Sequence, residues 1–187
     1  MEKMIAKIFG EKEIRIRSFL ESDLQRVKEF QEFINSLVEE DAKILLGKKA
    51  SLDNEKDFLT GTLKRMKLKK QIFLVAEHNE NIIGTVSIKL EIERQEHIGS
   101  LGIAIKNGYR GIGLGKYLMN EIIELAQKEL DPKPKIIGLE VYSNNKPAIA
   151  LYKSLGFKKV AEIPHQVSYR EELISLIVML LYLNKVK

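Results

Sequence analysis

Residues 101–119, LGIAIKNGYRGIGLGKYLM, decide the fold because they join a predicted strand to a predicted helix through a glycine-rich loop. The first five residues are apolar, which is typical of a buried strand. Asn and Gly within residues 106–109 tolerate the left-handed backbone conformation, so a turn is expected there. The loop RGIGLG then leads into a helix with one apolar face, formed by Leu114, Tyr117, Leu118, Ile122 and Leu125.

This glycine-rich loop is suited to binding a diphosphate. Gly111, Gly113 and Gly115 occupy alternate positions and leave the backbone N–H groups uncovered. Those groups lie at the start of a helix, where the helix dipole favours anions. Arg110 and Lys116 add positive charge on either side. The alternative is a glycine-rich turn that binds no ligand.

The spacing of the loop excludes two common nucleotide-binding motifs. A dinucleotide fingerprint, G-x-G-x-x-G, would need glycine at the position of Lys116. A P-loop would need glycine in place of Arg110 and Ser or Thr in place of Tyr117. The remaining pattern is R-x-x-G-x-G between a strand and a helix.

The composition limits the classes of protein that the chain can represent. With 187 residues and 44% hydrophobic residues, it is long enough and apolar enough for one folded domain. The absence of cysteine excludes disulfides, thiolate metal sites and a cysteine nucleophile, and the three distant histidines predict no zinc site. The net charge of +5 suits an anionic ligand. The basic run KRMKLKK, residues 64–70, could form a nucleic-acid patch, but it contains no aromatic residues, so a nucleic-acid partner is not expected.

The pattern along the chain predicts a single mixed α/β (α+β) domain over residues 1–187, in which residues 1–11 are a leader of uncertain structure. Expected strands are 13–17, 71–77, 82–92, 97–105, 136–142, 157–163 and 172–183, with a loop at 165–170. Expected helices begin at a capping box from Ser22 to Gln25, near Asp53, at the glycine loop and at Asn145. About seven strands and four helices result. The first ten residues are too charged for a signal peptide and the apolar run 173–183 is too short for a bilayer, so a soluble, cytoplasmic protein with no membrane contact is expected.

Two linked motifs give the chain a family resemblance. RGIGLG matches the R/Q-x-x-G-x-G/A motif of the GCN5-related N-acetyltransferases. LEVYSNNKPAIALYKSLGF, residues 139–157, resembles the motif that follows it in that family, V-x-x-x-N-x-x-A-x-x-L-Y-x-x-x-G-F. Residues of this chain match the second motif in register at Val141, Asn145, Ala148, Leu151, Tyr152, Gly156 and Phe157.

The resemblance implies a binding site for acetyl-CoA between two splayed parallel strands at the centre of the sheet. The backbone of Ile103, Ala104 and Ile105 would bind the pantetheine arm, and Asn145 would lie beside it. The pyrophosphate would be held by the loop residues Arg110, Gly111, Ile112, Gly113, Leu114, Gly115 and Lys116.

The resemblance also implies direct transfer of an acetyl group to a primary amine, without a covalent enzyme intermediate. Tyr152 would protonate the leaving sulfur, and Glu140 would act as the base, in the spacing of the ribosomal-protein N-terminal acetyltransferase branch. Glu96 is a rival candidate for the base. Tyr152 could instead be a core tyrosine whose hydroxyl binds a carbonyl group, and Glu140 could be merely solvated.

The acceptor amine is less defined by the sequence. In the family, it meets the end of the first helix and the loop before the last strand, which here contain Glu39, Glu40 and Tyr169. A protein N-terminus or a lysine is the expected acceptor, with a polyamine or aminoglycoside-like amine as the alternative. A non-catalytic acyl-CoA-binding module is a further alternative, and exposed sheet edges would allow a homodimer.

Overall fold

The computed structural model describes residues 4–183, which form one sheet of eight strands and four α-helices. The strands are β1 Met4–Phe9, β2 Lys12–Ser18, β3 Gln71–His78, β4 Asn81–Leu90, β5 Ile98–Ile105, β6 Ile136–Tyr142, β7 Lys158–Tyr169 and β8 Glu172–Tyr182. The helices are α1 Val27–Glu39, α2 Leu52–Lys67, α3 Leu114–Glu129 and α4 Lys146–Ser154. Short 3₁₀-helices cover Glu21–Gln25 and Glu93–Gln95.

The sheet has the strand order β1-β2-β3-β4-β5-β6-β8-β7. β5 and β6 are parallel because α3 connects them as a crossover, and the other neighbouring strands are antiparallel. The parallel ladder runs only from Ile98–Ile136 to Ser100–Gly138. Both strands continue beyond that point without pairing to each other. The prediction of a mixed sheet with splayed central parallel strands is confirmed.

Helices cover both faces of the sheet. α3 and α4 bury one face, where the core includes Ile14, Leu74, Val86, Leu118, Ile122, Leu139 and Tyr152. α1 and α2 bury the other face, where the core includes Phe19, Phe30, Phe33, Leu37, Leu59, Phe73 and Val75. In residues 4–183, no helix combines the length and the apolar character needed to cross a membrane.

The two ends of the sheet differ from the sequence-based prediction. Most of the leader is β1, which pairs along its length with β2 and places Phe9 against Tyr117 of α3, with ring centroids 5.5 Å apart. The expected loop at residues 165–170 is wrong, because β7 continues to Tyr169 and turns only at Arg170 and Glu171. A shift of register between Ile163 and Val167 interrupts the alternation that would have revealed a strand. The sheet therefore has eight strands instead of about seven.

The predicted capping box at Ser22 does not open α1. The segment forms a 3₁₀-helix instead, and Asp23 accepts the N–H of Leu20 at 2.8 Å. Asp23 is buried because Arg17 binds both of its carboxylate oxygens, at 2.7 and 2.8 Å. Arg17 also binds Glu77 on β3, so an ion-pair network, not a hydroxyl cap, fixes the start of the helical layer.

Candidate active site

A cavity of about 740 Å³ lies where β5 and β6 separate, with the glycine loop at one end. Gly113 is the N-cap of α3 and has φ of 90°, and Gly111 has φ of 78°. A Cβ built at either position meets no atom within 4 Å, so the loop backbone is uncovered. Gly115 has a different reason to be glycine, because a Cβ there would lie 3.3 Å from Leu151 and 3.4 Å from Ile105.

The structure brings nine of the predicted cofactor residues to this cavity: Ile103, Ala104, Ile105, Arg110, Gly111, Gly113, Gly115, Lys116 and Asn145. Leu114 is fully buried in the core and Ile112 packs against it, so their side chains do not line the cavity. Their backbone groups still belong to the loop and to the first turn of α3, where N–H groups have no partner within the helix. The donor set of the cavity therefore fits a pyrophosphate.

Arg110 is held at the cavity by two contacts. Its Nε donates to the carbonyl oxygen of Ile105 at 2.7 Å, and its Nη2 pairs with the carboxylate of Glu40. The second oxygen of Glu40 accepts the N–H of Asn107 at 3.1 Å. Glu40, predicted to bind the acceptor, thus lines the first cavity and contacts the cation of the glycine loop.

A second cavity of about 430 Å³ lies between β5 and β6 under the loop that joins α1 to α2. It contains the predicted base, Glu140, which does not line the first cavity. The two cavities share the lining residues Lys43, Ile44, Ile103, Asn145 and Tyr152. This arrangement gives a cofactor-sized cleft that meets a smaller chamber at Tyr152.

Tyr152 has a buried ring and a hydroxyl without a hydrogen bond to any of residues 4–183. The ring packs against Phe157, with centroids 6.1 Å apart. In residues 4–183, every fully buried side-chain nitrogen or oxygen atom has a hydrogen-bond partner. The hydroxyl of Tyr152 has none, so it is not fully buried and opens onto the cavities. Burial raises the pKa of Tyr152 to about 12, and the hydroxyl therefore keeps its proton at neutral pH.

The two candidate bases have different positions. Glu140 is exposed between the buried residues Leu139 and Val141, on the opposite face of β6 as predicted, and lines the second cavity. Glu96 lies at the other end of β5, pairs with Lys70 at 3.5 Å and lines neither cavity. The geometry favours Glu140 over Glu96.

The loop between α1 and α2 closes the side of both cavities. Tyr142 donates its hydroxyl proton to the carbonyl of Ile44 at 2.6 Å, and Tyr169 donates to the carbonyl of Asp41 at 2.9 Å. Lys43 donates to the carbonyl of Asn144 at 2.8 Å. Tyr169, a predicted acceptor-site residue, lines the first cavity and also fastens the loop.

Two cavity residues, Lys43 and Tyr142, were not predicted from the sequence, and one predicted site residue, Glu39, lies outside both cavities. Lys43 and Tyr142 belong to no spacing motif, and only the tertiary approach of the loop to β6 brings them to the cavities. Glu39 is exposed, pairs with Lys49 at 2.6 Å and lines neither cavity. Among residues 4–183, no group of three His, Asp or Glu side chains is placed to hold a metal ion.

Comparisons with known proteins agree with this geometry. An N-alpha-acetyltransferase from Sulfurisphaera tokodaii is 32% identical over an alignment of 111 residues that covers 54% of this chain and 64% of that protein. The L-amino acid N-acetyltransferase AaaT of Escherichia coli is 31% identical over 86 residues, 46% of this chain and 52% of that protein. The matches thus span about half to two thirds of these relatives' own length.

A solved structure shares the fold over almost the whole chain. The yncA protein of Salmonella typhimurium, solved with its cofactor acetyl-CoA, superposes with a TM-score of 0.76 and 22% identity, over 92% of this chain and 95% of that one. The model of the acetyltransferase (GNAT) family matches residues 31–157, more than half of the chain, and this range includes the glycine loop and Tyr152. The chain belongs to the acetyltransferase (GNAT) family.

Proposed function

We propose that the chain is an N-acetyltransferase that transfers an acetyl group from acetyl-CoA to a primary amine by direct attack. The observation that carries this proposal is the hydroxyl of Tyr152, which has no partner among residues 4–183 and lies where the two cavities meet. A tyrosine that served packing alone would bind a carbonyl group of the fold. The free hydroxyl supports catalysis over a non-catalytic acyl-CoA-binding module.

The residues of the first cavity would hold acetyl-CoA, which supplies the acetyl group as an activated thioester. Arg110, Lys116 and the first N–H groups of α3 present positive charge to a pyrophosphate. β5 offers backbone groups from residues 101–105, which do not pair with β6. A backbone N–H there would polarise the acetyl carbonyl.

Proton transfer is assigned to two side chains on either side of the reacting atoms. Tyr152 donates its proton to the departing sulfur, and its pKa of about 12 keeps that proton available at neutral pH. Glu140 accepts the proton of the attacking amine through a water molecule in the second cavity. The second cavity is therefore the acceptor chamber.

For the acceptor we propose a protein N-terminus or a lysine side chain. The relative from S. tokodaii, an N-alpha-acetyltransferase, supports the first. A small amine is the second candidate, and it is favoured by the relative from E. coli, an L-amino acid N-acetyltransferase. The chamber of about 430 Å³ has room for either.

An acceptor screen with acetyl-CoA tests the proposal. Peptides with free N-termini, peptides with an internal lysine, amino acids and polyamines are incubated with the protein, and products are identified by mass spectrometry. We expect the mass increase of one acetyl group on a primary amine, and loss of that product with Arg110→Ala. Acetyl-CoA binding without transfer to any acceptor would support the non-catalytic module instead.

A further inference from the structure

The second cavity contains two opposite charges that do not pair with each other. Lys43 and Glu140 are the charged residues among those that line it in residues 4–183. No salt bridge joins them, and neither has another ion-pair partner in that part of the chain. The ammonium of Lys43 contacts one neutral atom, the carbonyl oxygen of Asn144, at 2.8 Å.

Lys43 differs in this respect from the charged residues around it. Glu40 pairs with Arg110, and Asp41 pairs with Arg170. Arg110 and Lys116 line only the first cavity, whereas Lys43 lines both cavities and so also reaches the chamber that the glycine loop does not line. Within residues 4–183 it is therefore the cation that an acceptor in the second cavity would meet.

The ammonium group of Lys43 weakens the binding of acceptors that carry only positive charge. It repels a polyamine or an isolated lysine side chain, because two like charges in a partly desolvated chamber interact unfavourably. The repulsion is reversed when the acceptor carries a carboxylate near its amine, since that carboxylate can pair with Lys43. Ile44, Leu45 and Leu176 supply an apolar wall for the rest of the acceptor.

We infer that the acceptor is an amine with a nearby carboxylate, and that Lys43 binds this carboxylate while Glu140 faces the amine. The inference rests on the proposed function and narrows its substrate class. Two sources carry this chemistry: a free α-amino acid, and a peptide with Asp or Glu at its first or second position.

Matched acceptor pairs test the inference. Each pair differs only in the carboxylate: an L-amino acid against its α-amide, and a peptide that begins with Glu against one that begins with Gln. We expect the wild-type kcat/KM to be about tenfold higher for the carboxylate member of at least one pair. The pair that shows the preference identifies the source.

Lys43→Met is expected to remove that preference, mainly by raising KM for the carboxylate acceptor while kcat stays nearly unchanged. Lys48→Met is the matched control, because Lys48 belongs to the same loop, is exposed and lines neither cavity. Lys48→Met should keep the wild-type preference. A calorimetric titration with acetyl-CoA should give the same Kd for wild type and Lys43→Met.

The outcomes that overturn the inference separate it from the proposed function. Equal kcat/KM for both members of every pair overturns the inference and leaves N-acetyltransferase activity standing. A weaker acetyl-CoA Kd in Lys43→Met, with the acceptor preference retained, assigns the lysine to the cofactor and also overturns it. Failure to acetylate any acceptor while acetyl-CoA binds overturns both.

Discussion

At the scale of single residues, the site depends on where ionisable groups are placed in the fold. Tyr152 could be identified from the sequence as a candidate site residue, because it occupies the tyrosine position of a motif that begins at Val141. Its free hydroxyl and its raised pKa depend on packing against Phe157 and on the meeting of two cavities, which no spacing reveals. Lys43 could not be identified in this way, because only the position of its loop brings it to the cavities.

Tyr152→Phe should lower kcat by about 10²–10⁴-fold, because the leaving sulfur loses its proton donor. The Kd for acetyl-CoA and the free energy of unfolding should stay nearly unchanged, since the ring remains and the hydroxyl makes no hydrogen bond to residues 4–183. Steady-state kinetics and calorimetry measure both.

The control for this prediction is Tyr182→Phe, since Tyr182 is exposed on β8 and lines neither cavity. Because the pKa of Tyr152 is about 12, deprotonation of its hydroxyl should cause no decrease in kcat as the pH is raised to about 11. Normal turnover of Tyr152→Phe on every acceptor would show that another group is the acid.

Glu55 should make the stability of the protein depend on pH. Its side chain in α2 is 8% exposed, and burial raises its pKa from 4.5 to about 7. Between these values the folded state keeps a proton that the unfolded chain loses, so the free energy of unfolding falls as the pH rises. The total fall attributable to Glu55 is about 3 kcal/mol, at about 1.4 kcal/mol per pH unit.

Glu55→Gln should remove this fall, so the variant gains stability over wild type at pH 8 but not at pH 4. Urea denaturation at both pH values measures the difference. Asp53→Asn, an exposed change in the first turn of the same helix, is the control and should leave the pH dependence of wild type intact. An unchanged pH dependence in Glu55→Gln would contradict the account.

At the scale of elements, the glycine loop and the end of α1 are one unit. The sequence predicts the loop between β5 and α3 because strand, turn and helix patterns follow one another without a break. It does not predict that Glu40, about 70 residues earlier, pairs with Arg110. Long-range ion pairs of this kind leave no periodic signal, and the same is true of the network that replaces the expected capping box.

Glu40→Gln should tighten acetyl-CoA binding by about two- to fivefold. Arg110 would no longer have to leave an ion pair in order to bind phosphate, and partly exposed pairs of this kind contribute about 0.2–1 kcal/mol. Calorimetric titration gives the Kd values. Glu39→Gln is the matched control, because Glu39 pairs with Lys49 outside both cavities.

Weaker binding in Glu40→Gln would contradict this reading. It would mean that Glu40 supports the loop through the N–H of Asn107 instead of competing with the phosphates for Arg110.

At the scale of the whole molecule, most strands were predictable from the sequence, whereas β1 and the second half of β7 were not. β3 to β6 are apolar strands that follow one another in the sheet, and the helical crossover through α3 requires β5 and β6 to be parallel. β1 is short and β7 is irregular and largely exposed, so neither shows a clear hydrophobic alternation. The splayed pair provides both cavities, and the site is therefore a consequence of the central topology.

The most direct test of the account is a calorimetric titration of the purified protein with acetyl-CoA, compared with acetyl-pantetheine, which lacks the pyrophosphate. We expect micromolar binding of one acetyl-CoA per chain and much weaker binding of acetyl-pantetheine. Arg110→Ala should remove most of the difference in affinity between the two ligands. Absence of acetyl-CoA binding, or equal affinity for both ligands, would contradict the central claim that the glycine loop and the start of α3 bind a pyrophosphate.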